Sequence, residues 1–328
     1  TLDATFGNGG KVIYPFTEDG DAIGSTAIQP DGKIIYWGLK EFSLDGNVFL
    51  TRFNVNGTID TDFGINGIVN TSLICEIRGS SFIKLQNDGK ILVTSSFATV
   101  GNADFFDFAT QRYNADGTID TDFGNNGTVI TDFNGKGDFS TAIDLQSDGK
   151  IIVAGYSYVN NNLNTRISIL RYNSDGVLDT TFANNGKLMV SSFATNSSDY
   201  LFTLKVIDDD SILLGANTNA LEINEDYWNF GILRINSNGF VDATFGTNGK
   251  VITDFGGADY VTAVDEINDE IIVAGYSQIS SNSKMVLAKY LNNGDLDTTF
   301  GINGIVNSNL TTSTNDIISG MITSADGK

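Results

Sequence analysis

The residues best suited to chemistry in this chain are its carboxylates, and they recur. An aspartate stands three residues before a phenylalanine in six copies: Asp3, Asp60, Asp120, Asp179, Asp242 and Asp297, followed by Phe6, Phe63, Phe123, Phe182, Phe245 and Phe300. Carboxylate pairs serve glycoside cleavage, and carboxylate clusters hold hard cations. An active site, however, is one constellation rather than six equal ones. The expected duty is therefore structural: each aspartate accepts backbone N–H bonds across a turn, and each phenylalanine fills the space between neighbouring units.

Other chemistries fare no better. The chain has no histidine, which removes the commonest general base and transition-metal ligand. Its many serines therefore lack a histidine partner, and no glycine-rich phosphate loop leads from a strand into a helix. Glu222, Glu225 and Asp226 form the best local acidic cluster for a glycosidase, although a charged loop of this kind is normally just solvated. Asn114-x-Asp116-Gly117-x-x-Asp120 has part of a calcium-loop pattern. Arg112 stands where the first acid belongs, and Asn56, Asn238 and Asn293 replace Asp116 in other copies. Calcium takes six to eight oxygens, so a hairpin turn is expected here, with weak calcium binding as the alternative and no cofactor. Arg52, Arg112, Arg171, Arg234 and Lys289 recur shortly before the aspartates, as partners for structural ion pairs.

These residues are positioned by a repeat. The phenylalanines are 57, 60, 59, 63 and 55 residues apart across 328 residues, and so steady a period means an array of one supersecondary unit. The third copy shows the unit. Strand a is Thr128–Phe133, strand b Phe139–Leu145, strand c Lys150–Gly155 and strand d Arg166–Asn173. Each is short, rich in β-branched or aromatic residues, and bounded by Gly, Asn or Asp. No segment sustains a helical period. Strand c is apolar on both faces and must be covered on both. Blades stacked face to face do that, so the expected fold is all-β, a β-propeller of four-stranded antiparallel blades. By repeat, the blades are 1–57, 58–116, 117–176, 177–236 and 237–294, with 295–328 supplying half of a sixth. The chain starts without an initiator methionine and stops where other copies enter a strand, so it is expected to be a piece of a longer protein.

Asp148–Ser157, Arg171–Phe182 and Phe245–Val251 together read Asp-Gly-Lys-Ile-Ile-Val-Ala-Gly-Tyr-Ser, then Arg-Tyr-Asn-x-Asp-Gly-x-Leu-Asp-Thr-Thr-Phe-Gly-x-Asn-Gly-Lys-Val. This pattern resembles the bacterial delta-sixty repeat, in register along the whole chain. The resemblance implies a secreted or cell-surface protein, and for Bacteroidota often a substrate of type IX secretion, with the secretion machinery as a partner. It implies little about activity.

The net charge of −21 and pI near 4.1 repel nucleic acid and anionic membranes. No apolar run reaches the ~18 residues of a membrane span. The single cysteine, Cys75, excludes a disulfide within the chain. In an up-and-down sheet the b–c and d–a turns share one end, and the a–b and c–d loops share the other. The first end is stereotyped and the second varies, so specificity is expected at the second. Its aromatics Trp37, Phe105, Phe106, Tyr158, Tyr227 and Trp228 are the candidate ligand-binding residues. The favoured function is a non-enzymatic extracellular binding or adhesion module that engages a glycan or protein. The alternatives are an exported carbohydrate-active enzyme, with the divergent fourth repeat as its place, and a purely structural passenger.

Overall fold

The computed structural model describes residues 1–14, 21–40, 47–74, 82–98, 106–159, 164–194, 197–219, 228–279, 282–308 and 316–323. Twenty strands and no helix occur among them. Sheet one contains β1 (Asp21–Ile28), β2 (Ile34–Lys40), β3 (Asn47–Phe53) and β4 (Ile68–Ile74). Sheet two contains β5 (Ile83–Leu85), β6 (Ile91–Ala98), β7 (Phe106–Tyr113) and β8 (Thr128–Thr131). Sheet three contains β9 (Asp138–Leu145), β10 (Ile151–Val159), β11 (Asn164–Tyr172) and β12 (Lys187–Met189). Sheet four contains β13 (Asp199–Val206), β14 (Ile212–Thr218), β15 (Asn229–Ile235) and β16 (Lys250–Thr253). Sheet five contains β17 (Ala258–Ile267), β18 (Glu270–Ile279), β19 (Asn282–Tyr290) and β20 (Ile305–Ser308). Within each, neighbours in sequence pair antiparallel; a single pair, Ile74 with Ser96, also joins sheets one and two.

The sheets are one strand out of phase with the repeat. Strand a pairs with strand d of the preceding copy, as β8 does with β7, so each sheet takes b, c and d from one repeat and a from the next. The organising turn between d and a imposes this. It folds the chain back within a few residues, and backbone bonds such as Arg112 N–H to Gly127 O (3.0 Å) close it. Strand a at the C-terminal end therefore completes sheet five as β20. Residues 316–323, expected to begin a sixth blade, form no strand. They lie along sheet five, where the Asp316 N–H reaches Ser283 O and the Thr323 hydroxyl reaches Asp265.

The b–c hairpins use the Asp-Gly turn as its chemistry demands. Gly149 takes a φ of +81°, and Lys150 N–H binds the Asp148 carboxylate. A second regularity sits higher in the strands. β9, β13 and β17 each carry a bulge opposite a strand-c glycine, at Gly155, Gly215 and Gly275. The bulge presses backbone or side chain onto that glycine; a Cβ on Gly155 would overlap the Phe139 carbonyl.

The cores lie between sheets. Separate apolar clusters join sheets one and two, two and three, three and four, and four and five, each containing the middle strands that are apolar on both faces. The first strands of successive sheets touch one another, which makes them the innermost strands of a propeller-like stack. Ion pairs Lys84–Asp144 and Lys205–Asp265 (2.8 Å) tie these inner strands together.

Candidate functional site: the variable end of sheets two to four

The stereotyped end is a ladder of one motif. Arg52, Arg112, Arg171 and Arg234 place Nε 2.6–2.9 Å from Asp60, Asp120, Asp179 and Asp242. The same guanidiniums stand 4.6–4.9 Å over the rings of Phe63, Phe123, Phe182 and Phe245, all fully buried. Their remaining N–H groups reach the turn of the next repeat, as Arg171 does to Ser237 O at 2.6 Å. Burial would raise these four carboxyls. The donors and charges around them outweigh it, so all four are held below the usual carboxylate range. The calcium-like turn is similarly engaged: Asp116 accepts Thr118 N–H and hydroxyl, and Asp120 accepts Arg112 and Lys90. Every carboxylate in this ladder therefore has its own donors, and the ladder holds repeats together.

The opposite end is built differently. There Tyr158 N–H binds Gly137 O (2.9 Å) and the Asn134 amide binds Tyr158 O (3.0 Å), which brings the a–b loop beside the c–d side. Phe106, Tyr158 and Trp228, all half-buried, are joined there by three residues not foreseen: Phe139, Tyr156 and Tyr200. Ring centroids run Phe106–Phe139 5.3 Å, Phe139–Tyr156 5.2 Å, Tyr156–Tyr200 4.9 Å and Tyr200–Trp228 5.3 Å. Tyr158 stands edge-on to Phe139 at 5.8 Å. The result is a continuous aromatic tract across sheets two, three and four. Sheet five adds the stacked pair Tyr260–Tyr276.

Trp37 is a correction. It is 1% exposed, stacked on Phe82 at 4.6 Å, within the core between sheets one and two. Strand c is covered on both faces, so its side chains meet the neighbouring sheet rather than solvent. Gly24 opposite leaves the room that the indole fills. Phe105, Tyr227, Glu222, Glu225 and Asp226 lie outside the described residues, as does Cys75.

Sheets three, four and five also carry three buried acids that sequence reading missed. Asp138, Asp199 and Asp259 open the inner strands of sheets three, four and five, all essentially without exposure. Each accepts the N–H of a loop phenylalanine, from Phe133 (2.7 Å), Phe193 (3.2 Å) and Phe255 (2.7 Å). The signal was present: an aspartate follows the phenylalanine that ends strand a, after three to five residues, as in Phe133…Asp138, Phe193…Asp199 and Phe255…Asp259. Their surroundings differ. Asp199 Oδ1 receives the hydroxyls of Thr218 (2.6 Å) and Ser197 (3.1 Å). Among the described residues, Oδ1 of Asp138 and of Asp259 lacks a well-directed hydrogen bond, although the hydroxyls of Ser157 and Ser277 stand beside the two carboxyls and partly offset their burial. Burial pushes the Asp138 carboxyl up to about 7, helped by the charges of Asp132 and Asp107, and pushes Asp259 up to about 6. The half-buried Phe106, Tyr158, Tyr200 and Trp228 offer stacking surfaces, Phe139 and Tyr156 are buried behind them, and the three acids are closed to solvent.

Four segments, residues 86–123, 146–182, 208–245 and 268–300, match the family model described as "Domain of unknown function (DUF5122) beta-propeller". No curated protein matches. Among solved structures the chain is similar to a mannose phosphorylase from Leishmania mexicana, MPT-4, in complex with phosphate ion, at 10% identity and TM-score 0.42 over 85% of this chain and 83% of that one. It is similar to an endo-arabinase from Bacteroides thetaiotaomicron at 10% identity and TM-score 0.39, over 79% and 91%. It is also similar to the polysaccharide lyase Uly1 at 12% identity and TM-score 0.46, over 90% and 74%. Each family segment starts at a b–c turn and runs through strands c and d to the phenylalanine of the organising turn. Those four matches, covering less than half of the chain, thus follow its repeat from turn to turn and are similar to the DUF5122 beta-propeller domain.

Proposed function

We propose that this chain is a non-enzymatic binding or adhesion module of an exported bacterial surface protein, engaging a glycan or protein through the variable end of sheets two to four. The observation that supports this reading is the aromatic tract from Phe106 to Trp228. Half-buried rings at Phe106, Tyr158, Tyr200 and Trp228, the last three with polar tips and all backed by the buried Phe139 and Tyr156, suit sugar faces and protein hot spots alike. The acidic surface favours neutral glycans or basic protein patches. The test is binding to a panel of immobilised glycans and to cell-surface protein extracts, with Tyr158→Ala and Trp228→Ala combined. The expected result is specific binding that falls about ten-fold or more in the double variant at unchanged melting temperature. Full binding by a folded double variant would sink the proposal.

The enzyme alternative draws on one observation, the raised carboxyls of Asp138 and Asp259, since a glycosidase acid needs such a shift. Against it, both side chains are buried and each has one oxygen held by a backbone N–H. Release of reducing sugar from polysaccharides that is abolished by Asp138→Asn would favour that reading over the binding module.

A further inference from the structure

The junctions between sheets repeat one arrangement, and one of them departs from it. At the last three junctions the aspartate near the start of an inner strand lies near the start of strand d in the preceding sheet. The residues at that strand-d position, aligned on Arg52, Arg112, Arg171, Arg234 and Lys289, are Asn47, Asp107, Arg166, Asn229 and Lys284. Asp199, at the junction of sheets three and four, is also raised by burial, but it has a cation nearby and the charge of Arg166 works against that rise. Asp259, at the next junction, follows the neutral Asn229. Asp138 instead meets a second carboxylate, Asp107, and a third, Asp132, where sheet four's counterpart is Ser192.

The three carboxylates of Asp107, Asp132 and Asp138 each bring an oxygen within 4.8 Å of the others. Three like charges so close repel strongly, the more so where one is sealed from water. No ion pair to Asp132 or Asp138 occurs among the described residues. The nearby Lys187 amine binds the backbone carbonyl of Asp132 (2.9 Å) and not a carboxylate. A second and separate observation points inward. Asp138 is 0% exposed; its Oδ2 takes the Phe133 N–H, and among the described residues its Oδ1 lacks a well-directed hydrogen bond, with only the Ser157 hydroxyl beside the carboxyl. A buried carboxylate with so few donors is costly unless something positive meets it.

We infer that Asp107, Asp132 and Asp138 form a calcium site at the junction of sheets two and three. The donors are all oxygen, and the chain has no histidine to recruit a softer metal. Oxygens within 4.8 Å of one another can share one ion, and three carboxylates with flexible loop and water ligands suit calcium, whereas magnesium demands a tighter octahedron and keeps most of its waters. Water and loop oxygens complete the shell. The ion would clamp three separate pieces of chain: the start of β7, the loop after β8 and the start of β9. It would thereby fix the loop next to Phe106, Phe139 and Tyr158 without depending on what that tract binds.

The experiment is calcium titration of the chelator-stripped protein, followed by melting temperature and by terbium luminescence sensitised by the neighbouring tyrosines. Calcium at millimolar concentration should raise the melting temperature by about 3 °C or more, and terbium should be displaced by calcium. Asp107→Asn should weaken binding about ten-fold or more. Asp254→Asn, at the junction of sheets four and five, should leave it unchanged. Asp107 is only part-buried, so its variant is expected to fold; should it not, terbium displacement in the native protein still decides. No calcium-dependent shift would overturn the site and leave a proton on Asp138 as the relief. So would a shift that magnesium reproduces in every variant, since that reports screening of an acidic surface.

Discussion

The sharpest prediction concerns a substitution that the repeat has already made once. The residue after the repeated phenylalanine is glycine at positions 7, 64, 124, 246 and 301, with φ near +52° to +55°. In the fourth copy it is Ala183, which takes the same conformation at +46°. A Cβ on Gly246 would overlap the Lys250 carbonyl and stand 2.6 Å from Val251 Cγ2. Val12, Val69, Val129, Val251 and Val306 occupy this place beside the glycines, and Leu188 occupies it beside the alanine. Leucine branches one carbon further out and removes that clash. The carbonyl overlap remains, and the turn has opened to accommodate it: Asn184 N–H to Lys187 O is 3.2 Å, against 2.8 Å for Thr247 N–H to Lys250 O. Gly246→Ala should therefore cost about 2 kcal/mol, from a left-handed penalty of about 1–2 kcal/mol plus the valine clash, less about 0.5 kcal/mol of unfolded-state entropy. In the Val251→Leu background the cost should fall to about 1 kcal/mol, a coupling of about 1 kcal/mol. Ala183→Gly should stabilise by about 0.5–1 kcal/mol. Urea midpoints of the four proteins in the cycle measure this at constant slope. Equal costs of Gly246→Ala in both backgrounds would refute the reasoning.

Two further outcomes are expected. Asp179→Asn leaves the buried Arg171 guanidinium without its counter-charge and should cost about 3 kcal/mol, read as a lower urea midpoint; its loss should be smallest in acid, because a carboxyl held below its ordinary value contributes stability above the unfolded pKa and loses it as pH falls. Asp259 works in the opposite sense: its folded value of about 6 lies above the unfolded one, so it is most favourable below about pH 4 and grows costlier as pH rises to about 6, by about 3 kcal/mol. Asp259→Asn should raise the melting temperature at pH 8 and have no such benefit at pH 4; an equal effect at both would count against a raised carboxyl.

What could be read from the residues alone was everything that acts within a few positions along the chain. The Asp-Gly turns, the Asp…Phe-Gly turn and the β-branched strands follow from local torsional demands and short-range hydrogen bonds, and their recurrence implies the propeller. The pairing of Arg112 with Asp120 was legible for the same reason, since eight residues and one turn separate them. The phase of the sheets was not, because only the tertiary fold decides that strand a lies beside strand d of the copy before. Trp37 looked like a surface aromatic until the neighbouring sheet covered it. Phe139, Tyr156 and Tyr200 are ordinary strand residues in the sequence and became one tract only when three sheets stacked. Asp107 and Asp138 sit in different repeats and acquire their shared charge problem at the sheet junction. The sequence by itself determined the repeating unit, because that unit is made of local bonds. The tertiary structure decided the candidate site, because a site made of residues many tens of positions apart exists only where packing brings them together.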